Sequence, residues 1–358
     1  MRMSLPAIPF LALLAAFAAA PADAQTIGIV APVTESVELL GNQLRTGAEI
    51  AAVERRISPA NLRFADDSCS AEGGRQSAEA MVAGGVRIVI GFICTEAIEA
   101  ALPLLKQAGI PVITPGVRTN SLTDQRQKTG WPVYRMAPRA DGERDAVSDI
   151  LVADWQDKLF ALVDDGTIYG RELVESFRLS AELAGLQPIF VDTYRPQLDN
   201  QIGLVARLRR AGASHVLVGG DRVDVAIMGR DATDLGFDLT IAAGETLRSA
   251  PGDVPLALGT LMVGLPEPAD DASDAVLNAF REREIVPEGY TIPSYAAFEV
   301  AVEALIRAET SGRALVDVLN TDTFETAMGP VRFDDKGDLT QNPYRLFRYD
   351  GTKFVAVE

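Results

Sequence analysis

The chain has 358 residues, of which 47% are hydrophobic, so it can form the cores of two domains of ordinary size. Its 50 Asp and Glu residues outnumber its 33 Lys and Arg residues, which gives a net charge of −17 at pH 7. Because nucleic acids and anionic membranes attract basic proteins, this charge excludes both as expected partners.

The first 24 residues have the pattern of a cleavable signal peptide. Arg2 supplies a positive charge, residues 8–20 form an apolar core, and Ala22-Asp23-Ala24 has the small-x-small form of a cleavage site before Gln25. A retained membrane anchor is the alternative, although the apolar run is short for a bilayer span. Because the first cysteine is Cys69, none is available for lipid attachment at the new N-terminus. The pattern predicts export to the periplasm.

The mature chain starts with strands and helices in alternation. We predict strands at residues 26–31, 61–67, 86–92 and 110–114, helices at residues 41–56 and 74–83, and a third helix carrying Ile98, Ala101, Leu102 and Leu105. The last strand–helix–strand unit has short connections, which predicts a parallel pair with a right-handed crossover. Such alternation is typical of an open α/β sheet with helices on both faces.

Two turns of this unit lie at the carboxyl ends of its strands, where ligands of parallel sheets collect. They are residues 94–96 and 115–118. Thr95 can cap the third helix while the free N–H groups of the helix face the crevice, a favourable place for a carboxylate. A helix cap without a ligand is the commoner role of such a threonine.

The second half of the chain repeats the alternation. Residues 134–138 are predicted to be an extended crossing, because Pro138 disfavours helix at the residue before it. Helices then follow at 140–155, 170–184, 198–211 and 223–235, alternating with strands at 159–165, 188–194, 215–219 and 239–243. Two comparable series predict two similar lobes.

The remaining residues predict a return to the first lobe. After a second extended crossing at 260–265 come helices at 273–283, 294–310 and 314–320, a strand at 331–333, a tight turn at 334–338, and two strands at 344–349 and 353–357 joined by Asp350-Gly351. If the late helices pack on the first lobe, three crossings connect the lobes and permit hinge bending. The predicted lobes are residues 25–136 with 264–342 and residues 137–263 with 343–358.

Cys69 and Cys94 are the two cysteines of the chain. In an oxidising compartment they are expected to pair, which would contribute about 3 kcal/mol of stability in the chain-entropy model. Two buried thiols or a metal pair are the alternatives, although two cysteines and one distant histidine make a poor metal set. A bridge would tie the loop after Asp66-Asp67 to the turn that bears Thr95.

Common catalytic and cofactor motifs are absent from the sequence. It contains no GxGxxG, GxxxxGK[ST], HExxH or GxSxG. The single histidine, His215, opens an apolar strand, which favours a packed or surface imidazole over a general base. The carboxylate pairs at 66–67, 164–165 and 334–335 could serve a hydrolase, but nothing in the sequence fixes their separation. An enzyme is therefore the least favoured interpretation, and we predict no cofactor and no metal.

Short motifs occur in order along essentially the whole mature chain. They are LGNQLRTGA at 40–48, DDSC at 66–69, VIGFICT at 89–95, GIPVITP at 109–115, YG at 169–170, VGG at 218–220, GE at 244–245, MGPVRFD at 328–334 and GD at 337–338. This ordered set resembles the type I periplasmic solute-binding proteins of ABC importers, in the branched-chain amino acid (Leu/Ile/Val) receptor family. The resemblance implies two Rossmann-like lobes joined by three hinge crossings, a ligand in the cleft, and a disulfide at the position of Cys69 and Cys94. It also implies a monomer that serves an ABC permease in the inner membrane.

The resemblance also implies a set of ligand-binding residues. Thr95, next to Cys94, stands where the family places a hydroxyl residue that receives the ligand carboxylate. Gly116 stands where a backbone carbonyl meets the ligand ammonium, and Glu245 stands at the acidic position that pairs with that ammonium. Tyr169 stands at an aromatic position of the second lobe. A helix N-terminus for the anion and a carboxylate for the cation is a physically reasonable division.

Three positions depart from the family pattern. Leu40 stands where amino acid receptors often carry an aromatic lid, Arg118 where a small hydroxyl residue is common, and Asp221 where an aromatic residue is common. Arg118 could clamp a second carboxylate or an aromatic acid; alternatively it faces solvent or pairs within the protein. Asp221 could neutralise Arg118 or receive a polar ligand group. These departures weaken a specific expectation of leucine, isoleucine or valine.

The favoured hypothesis is a periplasmic substrate-binding component of an ABC transporter, which binds a small amino acid or related carboxylate and delivers it to a permease. A ligand-sensing module for a receptor or regulatory partner is the alternative, and the physics of its cleft would be the same. A cleft hydrolase that uses paired carboxylates is a third hypothesis.

Overall fold

The computed structural model describes residues 26–357. The signal peptide predicted for residues 1–24 and its cleavage site therefore lie outside the described residues. Between residues 26 and 357, no helix is both long enough and apolar enough to cross a membrane.

In the described chain, residues 27–135 form a five-stranded sheet in which every neighbouring pair is parallel. The strands are β1 (Ile27–Val30), β2 (Leu62–Ala65), β3 (Ile88–Gly91), β4 (Val112–Thr114) and β5 (Val133–Arg135), in the order β2-β1-β3-β4-β5. The helices between them are α1 (Glu38–Glu54), α2 (Ala71–Ala83), α3 (Thr95–Gln107), α4 (Ser121–Asp124) and α5 (Arg126–Thr129). The predicted parallel unit is confirmed as β3–α3–β4.

The next part of the chain builds most of a second sheet. Its helices are α6 (Gly142–Asp154), α7 (Ile168–Leu183), α8 (Ile202–Ala211) and α9 (Arg222–Asp234). Its strands are β6 (Phe160–Asp164), β7 (Phe190–Thr193), β8 (His215–Gly219), β9 (Thr240–Ala243) and β10 (Leu261–Gly264). These five strands pair in parallel in the order β7-β6-β8-β9-β10.

The last part of the described chain adds α10 (Pro268–Asp271), α11 (Asp274–Arg281), α12 (Thr291–Ser311), α13 (Leu315–Thr321), β11 (Phe324–Thr326), β12 (Gly329–Val331), β13 (Arg345–Tyr349) and β14 (Phe354–Ala356). The predicted final pair is confirmed, because β13 and β14 are antiparallel neighbours. Since β13 also pairs with β10, the second sheet has seven strands among the described residues. β11 and β12 form a separate hairpin, of which the sequence predicted only a strand at 331–333.

Hydrophobic cores on both faces of each sheet define the two lobes. On the five-stranded sheet, α1, α11, α12 and α13 cover one face, and α2 with α3 covers the other. We call this sheet and the helices packed on it the first lobe. On the seven-stranded sheet, α6 and α7 cover one face, and α8 with α9 covers the other; this is the second lobe. The two-lobed α/β architecture predicted from the sequence is confirmed.

The described chain passes three times between the lobes. The crossings lie between β5 and α6, between β10 and α11, and between β12 and β13. The first two begin later than predicted, because Tyr134 and Arg135 lie in β5 and residues 261–264 lie in β10. These segments are extended, as predicted, but hydrogen bonding to a neighbouring strand makes each of them part of a sheet.

Cys69 and Cys94 form a disulfide bond, with their Cα atoms 5.3 Å apart. The bond joins the loop after β2 to the residue that precedes α3. Asp67 lies in the same loop and is fully buried. Its Oδ1 accepts a hydrogen bond of 3.0 Å from the N–H of Cys69, whereas its Oδ2 has no hydrogen-bond partner among the described residues.

A buried ion pair stands at the first crossing. Arg135, the last residue of β5, is fully buried and donates to Oδ1 of Asp338 from Nε at 2.8 Å and from Nη2 at 2.5 Å. It also donates to the carbonyl of Thr119 and the hydroxyl of Thr123. On the other side of the crossing, Arg139 donates to Oδ2 of Asp338 at 2.9 Å. Asp338 thus binds residues before and after the crossing.

Candidate functional site

A cavity of about 520 Å³ lies between the lobes, and residues of both lobes and of the three crossings line it. This volume is in the range of sites that enclose small molecules. Gly116 and Arg118 reach it from the first lobe, in the turn after β4, and Glu245 reaches it from the second lobe, after β9. Both turns follow the carboxyl ends of parallel strands, where ligands of open α/β sheets bind.

Arg118 connects the two lobes across this cavity. Its Nη1 donates to Oε1 of Glu245 at 3.2 Å, and its Nη2 donates to the hydroxyl of Tyr344. The same hydroxyl donates to Oε2 of Glu245 at 2.9 Å, so the three side chains form a closed set of contacts. The Nε atom of Arg118 is buried and has no hydrogen-bond partner in the described chain. Tyr344 packs in the core of the second lobe, which places both partners of Arg118 in that lobe.

Glu143, on α6, positions the backbone of Glu245. Its Oε1 accepts hydrogen bonds from the N–H of Glu245 at 2.6 Å and from the hydroxyl of Tyr169 at 2.8 Å. Burial raises the pKa of the Glu143 carboxyl, although both hydrogen bonds oppose the rise. A Cβ atom at residue 244 would lie 2.0 Å from this oxygen, which explains why Gly244 precedes Glu245. Burial and Glu143 together raise the pKa of Tyr169, which keeps its hydroxyl a donor.

The other charged side chains that line the cavity are also paired. Arg248 lies 2.7 Å from Glu267, and Arg345 lies 2.9 Å from Asp271. With Arg118 and Glu245, these form three ion pairs, and among the described residues they account for every charged side chain of the lining.

The rest of the cavity wall is largely apolar. Six of its residues are prolines, namely Pro115, Pro138, Pro266, Pro268, Pro293 and Pro343. The ring of Tyr290 lies against Gly116, since a Cβ there would come within 2.8 Å of Cε1 of the ring. The Tyr290 hydroxyl makes no hydrogen bond to the described chain, and burial raises its pKa while nearby Arg118 opposes the rise. An aromatic ring with a free hydroxyl therefore stands beside Arg118.

The structure brings together some of the predicted ligand-binding residues and separates others. Gly116, Arg118 and Glu245 line one cavity, and Tyr169 joins them through Glu143. The other four predicted residues do not line this cavity; they are Leu40, Cys94, Thr95 and Asp221.

Thr95 does not cap α3 as predicted. It is the first residue of the helix, Cys94 occupies the N-cap position, and no side chain makes a capping hydrogen bond there. Cys94 has the extended backbone conformation of an N-cap residue and is tied to Cys69 by the disulfide, so the helix begins one residue earlier than a Thr95 cap requires. The Thr95 hydroxyl is half-buried and makes no hydrogen bond within residues 26–357.

Leu40 and Asp221 have positions that the sequence did not predict. Leu40 lies on the exposed face of α1. The Asp221 carboxylate caps α9, accepting a hydrogen bond of 2.9 Å from the N–H of Asp224. It therefore does not neutralise Arg118, whose carboxylate partner is Glu245.

Three residues of this site were missed from the sequence, namely Glu143, Tyr290 and Tyr344. Each contacts a partner far away along the chain: 102 residues separate Glu143 from Glu245, and 226 separate Tyr344 from Arg118. No local pattern marks such contacts. The one available signal is Gly244, whose missing side chain leaves room for a neighbour next to Glu245.

Two further features concern other possible binding sites, namely a second groove and metal-binding groups. A larger groove of about 1110 Å³ lies along β12 and the third crossing, but no predicted site residue lines it. Across residues 26–357, no group of three or more His, Cys, Asp or Glu side chains is placed to hold a metal ion.

Comparison with known proteins adds a family and a set of similar folds. The sequence model described as "Periplasmic binding protein" matches residues 24–353. The chain is 28% identical to Leu/Ile/Val-binding protein homolog 3 of Brucella melitensis over 371 aligned positions, covering 99% of each chain. It shares 22% identity and a TM-score of 0.63 with an ABC transporter substrate-binding protein of Desulfitobacterium hafniense in complex with Leu, over 93% of this chain and 99% of that one. A solute-binding protein from R. palustris in complex with benzoate shares 16% identity and a TM-score of 0.58 with this chain, over 93% of this chain and 95% of that one.

Proposed function

Because this chain belongs to the periplasmic binding protein family, which comprises solute-binding proteins and not enzymes, we propose that it is the substrate-binding component of an ABC transporter. It binds a small amino acid or a related carboxylate between its lobes and delivers it to a permease in the inner membrane. The proteins named above, which are described as binding Leu/Ile/Val, Leu or benzoate, support a small carboxylate as the ligand.

The observation that carries this proposal is the cavity between the lobes, where Arg118 of the first lobe meets Glu245 of the second. A ligand that touches both lobes binds a closed arrangement better than an open one, and this difference in affinity shifts the population toward the closed form. The permease then recognises and binds the closed form. The lobe limits that we propose for this motion are residues 25–136 with 264–342 and residues 137–263 with 343–358.

A thermal-shift screen tests the proposal. Amino acids, aliphatic and aromatic acids, dicarboxylates and amides are added to the purified protein. A ligand of the folded state at about one hundred times its Kd adds about 2.7 kcal/mol of stability, which raises the midpoint measurably. Native mass spectrometry of the untreated protein identifies any compound that co-purifies. A screen without response and a spectrum without bound compound would together contradict the proposal.

A blocking variant shows whether a ligand found in this way occupies the cavity. Ala137 lies in the cavity lining at the first crossing, so Ala137→Trp fills part of the cavity and should abolish the rise in midpoint. Ala60, exposed on the first lobe, provides the matched control Ala60→Trp, which should bind as the wild type does. An unchanged response in Ala137→Trp would place the ligand elsewhere.

A further inference from the structure

The guanidinium of Arg118 is paired with the carboxylate of Glu245, the group with which an amino acid ligand would pair its ammonium. From this contact we infer that the cavity selects a carboxylic acid that carries no α-ammonium group, an inference that rests on the proposed function. The selected class is an acid with an apolar, branched or aromatic body.

Both oxygens of the Glu245 carboxylate already take part in contacts within the protein. One carboxylate oxygen faces Nη1 of Arg118 and the other accepts the hydroxyl hydrogen of Tyr344. An ammonium bound here would either share the single negative charge of Glu245 with the adjacent guanidinium or displace that guanidinium. Arg118 has only 35% of its side-chain surface exposed, so a displaced guanidinium would remain partly buried without its partner, which is unfavourable.

Among the described residues that line the cavity, no unpaired acid is available to an ammonium. Glu267 and Asp271 are paired with Arg248 and Arg345. Glu143 is buried and already accepts two hydrogen bonds through one oxygen. A zwitterion would therefore lose the hydration of its ammonium without gaining a paired contact.

Arg118 still has hydrogen-bond donors available for a ligand carboxylate. A guanidinium has five N–H groups, and Arg118 uses one on Nη1 and one on Nη2 within the protein. Its Nε–H is buried, which leaves one further N–H on each terminal nitrogen. Tyr290, which lines the same cavity, has a hydroxyl without a partner in the described chain and is a further donor. A ligand carboxylate can bind these groups while Tyr344 continues to hold Glu245.

The apolar part of the cavity wall indicates what the rest of the ligand should be. The ring of Tyr290, the prolines of the wall, and Met136 and Leu265 line the same cavity as Arg118. These groups favour an apolar surface, and an aromatic ring gains further from the edge or face of Tyr290.

Matched pairs of ligands isolate the effect of the ammonium. Isothermal titration calorimetry compares 4-methylpentanoate with L-leucine and 3-phenylpropanoate with L-phenylalanine, since each pair differs only in the α-amino group. The wild-type protein should bind the acid of at least one pair ten times or more tighter than its amino acid. If ligands bind but neither pair shows this preference, the inference is overturned and the proposed function still stands. If neither member of either pair binds, the inference is overturned, and the thermal-shift screen decides on the proposed function.

Two variants separate the inferred arrangement from the alternative in which Glu245 receives the ammonium. Arg118→Ala should weaken binding of the acid at least tenfold and strengthen binding of the amino acid, because it releases Glu245. Glu245→Gln should bind the acid at least as tightly as the wild type, whereas the alternative predicts a loss of amino acid binding. Arg178→Ala removes a partly buried arginine of α7 that pairs with Glu175 and Glu182 and does not line the cavity, and should change neither affinity. If Arg118→Ala does not fold, the Glu245→Gln result alone decides.

Discussion

Asp67 should lower the stability of the folded protein as the pH rises, and Asp67→Asn should remove this dependence. The carboxyl is fully buried beside the disulfide and has one oxygen without a partner. Burial raises its pKa from 3.8 to about 6, a rise that the N–H of Cys69 opposes and neighbouring Asp66 increases. Each unit of pKa difference between folded and unfolded states corresponds to about 1.4 kcal/mol, so the full effect is about 3 kcal/mol.

The sign follows from the direction of the shift. The folded state binds the proton more tightly than the unfolded state, so the contribution of protonated Asp67 is complete below the unfolded pKa of 3.8 and is lost as the pH rises through about 6. Between about pH 4.5 and about pH 7.5 the loss amounts to about 2 kcal/mol. The stability of Asp67→Asn relative to the wild type should therefore rise by that amount over this interval.

Urea unfolding of the oxidised protein at several pH values measures this difference. The wild type and the variant are compared at each pH, so the cost of placing an amide in the buried site cancels from the trend. Asp234→Asn, at an exposed position near the end of α9, is the matched control and should show no trend. A difference between Asp67→Asn and the wild type that stays flat with pH would refute the reasoning.

Two further predictions concern packing. Asp338→Asn should cost about 3–5 kcal/mol in urea unfolding, because it leaves the guanidinium of Arg135 buried without a charged partner; a loss below about 1 kcal/mol would contradict this account. Gly74→Ala should lower stability by about 1–3 kcal/mol, because its Cβ would lie 2.0 Å from the carbonyl oxygen of Ala97 where α2 meets α3. Gly203→Ala, on α8 with its nearest heavy atom 3.9 Å away, should be neutral or stabilising when both are measured by thermal unfolding.

Most of the strands and helices could be predicted because their signals are local. Apolar runs and helical spacing give β8 at the predicted limits of His215–Gly219. The imidazole of His215, expected to be either packed or at the surface, lies against Trp155, with ring centres 5.4 Å apart. Whether an extended segment is a sheet strand or a crossing depends on a partner strand elsewhere in the chain. That is why Tyr134 and residues 261–264 were assigned to crossings and not to β5 and β10.

The site was less predictable than the fold because its contacts are formed between distant residues. The resemblance to a known family indicated Gly116, Arg118 and Glu245, but it did not indicate that Arg118 and Glu245 bind each other. Nothing near Arg118 in the sequence predicts that Tyr344 completes their contact. The ligand role expected for Thr95 stays a prediction, since its hydroxyl is free but does not line the cavity.

Six prolines restrict the backbone of the cavity wall within each lobe and crossing before any ligand binds, while the lobes themselves close around the ligand. Proline has no backbone N–H and a nearly fixed φ, so this wall gives up little conformational entropy when a guest is enclosed. Occupancy should therefore have the calorimetric character of a preorganised apolar host: a negative heat-capacity change with a favourable enthalpy at room temperature. Discrimination among ligands would then arise from their dissociation rates, because similar molecules associate with a preorganised cavity at similar rates and dissociate from it at different rates.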